Sequence, residues 1–317
     1  MVPYLRTWFD GWVDSASGTG GFWSDQIPRE HFRTASSTGD ALARMVAGLL
    51  DRQPEIEAVI DVGAGCGELL SSLRDLRLGL ALTGIDLRPR PAELPAEIGW
   101  TTDRWDVRQH TWASGAAADR LAAIRVPTLI VAGEWLDDLP CRVAAYDCGG
   151  WREQASDPHG REQPAAPLTG AELRWAQRWW PAGPRAEIGL TRDRAWAHLV
   201  AAARPHGGSA LLIDYGHLRG GRPRSGSLTG YRRGRQVRPA PTAQTNLTAH
   251  VAIDAVRAAG EAVGARTRLC RPQAELVDEL WPAAEHCDPV ADLVERSRRA
   301  AMASPCVWGS QWWLWQA

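Results

Sequence analysis

Lysine is missing from this chain: all 36 basic residues among its 317 are arginines. With its abundant alanine, a GC-rich coding sequence accounts for that bias. Net charge is also nearly absent, at −1, which speaks against bulk binding to nucleic acid or to an anionic membrane. Cysteine is sparse and scattered, at Cys66, Cys141, Cys148, Cys270, Cys287 and Cys306. No C-x-x-C pair and no Cys/His ligand spacing occurs, so no metal site is expected and a reduced, cytoplasmic protein is. No stretch approaches the roughly 18 apolar residues of a membrane span. The N-terminus lacks a signal-type apolar region, so no membrane insertion is expected. What remains is a hydrophobic share of 44% and a charged share of 23%, those of a globular protein. Tryptophan is abundant, with 17 residues, several paired as in Trp179-Trp180 and Trp312-Trp313. Each contributes large burial energy, roughly 1.5–3 kcal/mol or more, so packing between core and periphery is the first expectation.

The most informative stretch is Val59-Ile60-Asp61-Val62-Gly63-Ala64-Gly65-Cys66-Gly67-Glu68-Leu69-Leu70. A β-branched run ends in closely spaced glycines, and leucines at helical spacing follow, which reads as strand, tight turn, helix. Glycine lets the backbone turn sharply and lets a ligand lie on it. The helix start adds unpaired N–H groups to the same crevice. A dinucleotide fingerprint, G-x-G-x-x-G, would need glycine at position 68, which is Glu68. The spacing here is G-x-G-x-G behind Asp61, which resembles the first motif of Rossmann-like S-adenosylmethionine (SAM) methyltransferases. SAM carries an ammonium and a sulfonium, so acids at Asp61 and Glu68 suit it. A second run, Leu82-Thr83-Gly84-Ile85-Asp86, ends in an acid 19 residues after Gly67. On a neighbouring parallel strand, Asp86 would accept hydrogen bonds from both ribose hydroxyls. That acid serves NAD and SAM equally; only the glycine spacing discriminates.

Along the chain, Leu5, Trp8, Phe9, Trp12 and Val13 form a helical stripe, and a second helix is expected over Gly39 to Leu50. Strands are expected at Val59–Val62, Leu82–Asp86, near Ile98–Trp100, at Thr128–Ala132, Arg142–Cys148 and Ala210–Asp214. Helices are expected around Ala171–Trp180, Ala195–Ala203, His250–Gly260 and Pro272–Leu280. Gly216 to Thr245 is a polar run with seven arginines and no apolar period, read as a mobile loop or a grip for an acidic partner. The bulky C-terminal tail is expected to pair at a sheet edge. Strand–helix alternation indicates an α/β fold, a mostly parallel sheet with helices on both faces. Residues 1–50 read as an N-terminal helical cap, and 51–317 as the Rossmann-like domain, with insertions at about 149–185 and 216–250.

After the fourth strand comes Gly133-Glu134-Trp135-Leu136-Asp137-Asp138-Leu139-Pro140, three carboxylates within five residues. In an open parallel sheet this turn faces the same crevice as the glycines. A helix start decorated with acids would look alike. Methyl transfer is an in-line displacement and asks mainly for alignment at about 3 Å and exclusion of water. A guanidinium acceptor also carries a proton, with a pKa above about 12. Carboxylates hold it by bidentate bonds, so Glu134 and Asp137 are candidate catalytic residues for an arginine acceptor.

Beyond these motifs the chain resembles the MidA family, relatives of the mitochondrial complex I assembly-factor methyltransferases. Phe32-Arg33-Thr34 resembles that family's D-F-x-T, with His31 for Asp and without the following Pro-Glu. Val59 to Leu70 matches its glycine motif, and Trp100 with Asp103 its W-x-x-D. Glu134 to Pro140 resembles N-E-F-F-D-A-L-P, with Gly133 for Asn. Gly150-Trp151-Arg152-Glu153, Ile213-Asp214-Tyr215-Gly216, Leu228 to Arg233, and Asn246-Leu247-Thr248-Ala249-His250-Val251 follow in the family's order. The resemblance implies a SAM-dependent methyltransferase fold and a protein substrate methylated on arginine, by that likeness a respiratory-complex subunit. It implies cofactor binding at Asp61, Gly63, Gly65, Gly67, Asp86 and Asp103. The departures motivate a second reading, an assembly or binding factor with weak or no catalysis. A third is a small-molecule methyltransferase.

Overall fold

Seven strands form the main sheet of the computed structural model, which describes residues 5–25, 34–36, 39–181, 183–283 and 288–317. In chain order they are β1 (Ala58–Val62), β2 (Ala81–Asp86), β3 (Gly99–Thr102), β4 (Thr128–Gly133), β5 (Ser209–His217), β6 (Thr267–Pro272) and β7 (Gln311–Gln316). Their spatial order is β6-β7-β5-β4-β1-β2-β3. Strands β5, β4, β1, β2 and β3 run parallel, with Val59 opposite Leu129 and Leu82. The short strand Val251–Ala252 adds to the end of β5. The helices longer than four residues are α1 (Trp8–Ser17), α2 (Ala41–Leu50), α3 (Glu68–Leu76), α4 (Ala116–Ala122), α5 (Gly170–Trp179), α6 (Leu190–Ala203), α7 (Ile253–Ala262) and α8 (Pro289–Ala303).

Side chains alternate across a strand, and both faces of the central strands are covered, so β1, β4 and β5 are apolar over most of their length. Val59, Leu129, Val131, Leu211 and Ile213 face one core, filled by Leu42, Val46 and Leu49 of α2 and by Leu70 and Leu73 of α3. Ile60, Val62, Ile130, Ala132 and Leu212 face the other, with Leu121 of α4, Trp196 and Leu199 of α6, and Val256 of α7. The helix stripe predicted near the N-terminus is α1. Its Phe9 and Val13 join the second core, while Trp8 and Trp12 pack on Cys141, Val143 and Leu247.

A smaller antiparallel sheet, including Arg142–Asp147, Gly150–Ser156 and Arg185–Ile188, stands beside the main one. Trp175 and Trp180 fill its junction with α5 and α7.

Two expectations are corrected. The C-terminal tail is β7, and it is not an edge strand: Trp313 pairs with Ile213 of β5 on one side and Arg271 of β6 on the other. Trp313 and Leu314 are buried on opposite faces, so the tail is apolar on both sides of its pleat. The arginine-rich run is not an unstructured loop. It carries the strands Thr229–Arg232 and Arg235–Val237, joined to Asn246–Thr248 in a three-stranded sheet. Gly230 makes this possible, since its backbone is buried where a Cβ would strike Thr245. The family-like Phe32-Arg33, His31 and also Cys287 lie outside the described residues. Among the described residues no helix is long and apolar enough to cross a membrane.

Gly48 tests the packing of α2. An added Cβ would lie 1.7 Å from the Leu280 carbonyl oxygen. Helix propensity favours alanine by about 1 kcal/mol, but forced overpacking costs about 1–3 kcal/mol. Gly48→Ala should therefore lower Tm, on the order of 2–8 °C. A calorimetric scan with Tm unchanged or raised would mean that α2 moves off the Leu280 carbonyl without cost.

Candidate active site

The strand order reverses between β1 and β4; α3, after β1, covers one face of the sheet and α6, before β5, covers the other. That geometry opens a crevice beyond the carboxyl ends of β1 and β4. A cavity of about 630 Å³ fills it, within the usual size for a small-molecule site. Asp61, Gly63, Gly65, Asp86, Glu134 and Asp137, expected from the motifs, and Asp103, expected from the family resemblance, all line it.

The glycine turn is built for close approach. Gly63, Gly65 and Gly67 all have left-handed φ, at 74°, 66° and 79°. A Cβ on Gly63 would stand 2.7 Å from Trp135 Cδ1. Gly67 does not reach the cavity. It turns the chain into α3, and a Cβ there would strike Leu94 at 2.4 Å. The Gly65 N–H donates to Asp86 Oδ2 at 2.9 Å, while Arg88 N and Nε donate to Asp86 Oδ1 at 2.9 and 3.0 Å. Arg88 thus lies against the acid assigned to a ribose. Burial, then the neighbouring charges of Asp86 and Glu68, push the Asp61 carboxyl well above its ordinary range. A cation placed beside these acids would relieve that strain.

Asp103 has a structural partner set of its own. Its carboxylate accepts from the N–H groups of Arg104 (2.8 Å), Ser114 (2.9 Å) and Ala117 (3.0 Å), and so anchors the start of α4. Burial alone would raise its carboxyl; those donors outweigh it and hold it below the usual value.

Across the crevice, the turn after β4 carries Glu134 in a left-handed conformation, φ 48°. Its N–H donates to the Ile213 carbonyl at 2.8 Å, and its Oε1 accepts from Ala35 N at 2.8 Å. Buried Asp214 on β5 holds the rest of the turn, accepting from Leu136 N and Asp137 N at 3.0 and 3.3 Å. Asp137 Oδ2 accepts from the Thr248 hydroxyl at 2.7 Å; its Oδ1 is buried without a partner among the described residues. Asp138 accepts from Asn246 Nδ2 at 3.0 Å. Burial is the largest cause lifting the carboxyls of Glu134, Asp137, Asp138 and Asp214, and Glu134 rises to about 7. Among the described residues no arginine lines this side of the cavity. Behind it, buried Arg192 donates to the main-chain carbonyls of Asp137, Leu139, Ala249 and His250.

Sequence spacing assigns no role to Tyr215, Tyr231 or His250, yet all three line the same cavity. Tyr215 and His250 stack at 6.1 Å between ring centroids. Their signal was present, since each stands in one of the family-like motifs. Among the described residues no group of His, Cys, Asp and Glu could hold a metal ion.

A family model of S-adenosyl-L-methionine-dependent methyltransferases matches residues 87–270, more than half of the chain. The match begins just after Asp86 and covers the acidic turn and Asn246 to His250. Among solved structures, a COG1565 superfamily member from Burkholderia thailandensis bound to S-adenosyl-homocysteine superposes with TM-score 0.76. It is 19% identical, over 99% of this chain and 88% of that one. A native COG1565 superfamily protein from the same organism gives 0.73 at 20% identity, over 99% and 87%. No curated protein matches the sequence.

The acidic wall generates a pH dependence. The Glu134 carboxyl sits near 4.5 ordinarily and at about 7 in the fold. The folded chain therefore keeps a proton that the unfolded chain releases over that window. Its contribution to stability is complete below pH 4.5 and is lost as pH rises to about 7. In thermal melts, Tm of Glu134→Gln minus that of wild type should climb across this window and then level off. A difference independent of pH would place Glu134 in open solvent.

Proposed function

The chain belongs to this family of SAM-dependent methyltransferases, and from that premise we propose that it methylates a protein arginine. The observation that carries the reading is the acidic wall formed by Glu134, Asp137 and Asp138, which no arginine lines among the described residues. Buried carboxylates without a cation are costly. A planar, weakly hydrated guanidinium is the guest that best offsets them.

The residues present fit the cofactor. The glycine turn admits backbone contact, Asp61 and Glu68 place carboxyl groups where a cationic group would pair with them, and Asp86 offers acceptors to a ribose. SAM when bound supplies an electrophilic methyl carbon on a sulfonium. A guanidinium nitrogen that took this methyl would have one proton to shed. Glu134, raised to about 7 by burial first, is suited to take that proton. Asp137, fixed by Thr248, and Asp138, fixed by Asn246, hold the other guanidinium nitrogens. Tyr215, Tyr231 and the aromatic side chains of Trp112 and Trp135 help keep water out.

The acceptor protein, by the MidA resemblance, is a respiratory-complex subunit. Free thiols at Cys66, Cys141, Cys148, Cys270 and Cys306 support a reducing, cytoplasmic setting.

Two expectations test the two halves of the cavity. Losing charge-assisted hydrogen bonds costs about 1.5–3 kcal/mol, so Asp86→Ala should weaken SAM about ten- to a hundredfold by calorimetry. Unchanged affinity would remove Asp86 from the cofactor site. Glu134→Gln and Asp137→Asn keep size and an acceptor oxygen but lose charge. Single-turnover methylation, measured with tritiated SAM and a cell extract and read by mass spectrometry, should fall at least about 100-fold. SAM affinity should barely change. Loss of both together would move these residues to the cofactor; loss of neither would favour a binding factor.

A further inference from the structure

The rim of the cavity has the opposite charge to its floor. Strands Thr229–Arg232 and Arg235–Val237 pair antiparallel, with Arg232 directly opposite Arg235. Arg233 and Gly234 form the two-residue turn, both with left-handed φ, at 49° and 73°. Such turns favour Asn, Asp or Gly at the first position, because a longer side chain is strained there. Like charges facing each other across a hairpin also destabilise it. The arginines at this tip therefore work against the hairpin's own stability. No acidic residue occurs anywhere from Gly216 to Thr245. Arg232 and Arg235 are exposed, and neither is paired to a carboxylate among the described residues.

Other arginines of this run are spent inside the fold. Arg222 pairs with Asp254, and Arg238 donates to the Gly160 carbonyl. Arg232 and Arg235 have no such use among the described residues. Yet the tip is fixed beside the site, because Tyr231 and Gly234 line the cavity. Alternation along the strand puts Arg232 on the face away from Tyr231, so its guanidinium stands outside the mouth.

We infer that this hairpin docks an acidic stretch of the protein whose arginine enters the cavity. The inference rests on the arginine-acceptor reading and adds the sequence context of the acceptor. A cationic side chain suits the carboxylate wall inside, and acids within a few residues of it suit Arg232 and Arg235 outside. Complementary charge of this kind selects partners and orients them on approach.

The test uses short fluorescent peptides with a central arginine flanked by glutamates, by serines, or by arginines. Binding to the full chain with S-adenosyl-homocysteine present is read by anisotropy, at low and raised salt. The glutamate-flanked peptide should bind about tenfold tighter than the serine-flanked one, the advantage expected of two or three exposed ion pairs. Raised salt should erase the advantage. The double variant Arg232→Glu/Arg235→Glu should remove the preference, and the milder Arg232→Gln/Arg235→Gln should reduce it. Unchanged S-adenosyl-homocysteine affinity in both would show the fold intact. Equal binding of all three peptides, binding of none, or a preference that survives both variants would overturn the docking role. Tritiated SAM separates the two ideas. Acid-dependent binding without methyl transfer keeps the docking surface and defeats the arginine reading. Arginine methylation without acid preference does the reverse.

Discussion

One buried guanidinium holds the acceptor side of this protein together. Arg192 on α6 is 1% exposed, and its nitrogens donate to the carbonyls of Asp137, Leu139, Ala249 and His250 rather than to a carboxylate. Its face lies over the Trp12 ring, 5.6 Å from the centroid. Removing a charge from water is costly, and only a full set of acceptors makes it tolerable. Those acceptors belong to two separate segments, the turn after β4 and the chain from Asn246 to His250. Arg192 therefore joins them, and α1 closes over the junction. Its charge also offsets part of the burial that lifts Asp137, Asp138 and Asp214.

The consequence is a cavity with two electrostatic halves. On the glycine side, Asp86 is tied to the turn and to Arg88, so a nucleoside must compete with an internal cation for that acid. On the far side, carboxylates are held in place by Ala35, Thr248 and Asn246, and no arginine among the described residues lines the cavity beside them. Burial favours the neutral form of these acids, and a positively charged guest placed against them favours the charged form. The basic hairpin at the mouth then belongs to recognition outside the cavity, where water screens it and its influence falls on encounter and orientation.

Much of this was legible before any fold was known. The acid at Asp86 pointed to a nucleoside and the glycine spacing to SAM, and the MidA resemblance is borne out by the family match over residues 87–270. Local periodicity also placed β1 to β5 and six of the helices, but not β6, α4 or α8. It misread two stretches. The tail was read as an edge strand because it alternates bulky and small residues, although Gln311, Trp313, Leu314 and Gln316 are all buried. The arginine-rich run looked like a loop because its sheet is held by a glycine and by contacts with distant chain.

The sequence by itself determined the residues assigned to a nucleoside, because turn, glycine and acid lie within about 25 residues and their geometry is local. Tertiary structure decided what spacing could not carry. It turned Gly67 away from the cavity against Leu94 and stitched Asp103 to the start of α4. It brought Tyr215, Tyr231 and His250 to the acidic turn from far along the chain. Above all it fixed the protonation of Glu134, for a carboxyl's affinity for its proton depends on burial and neighbouring charge, and neither exists until the chain has closed around it.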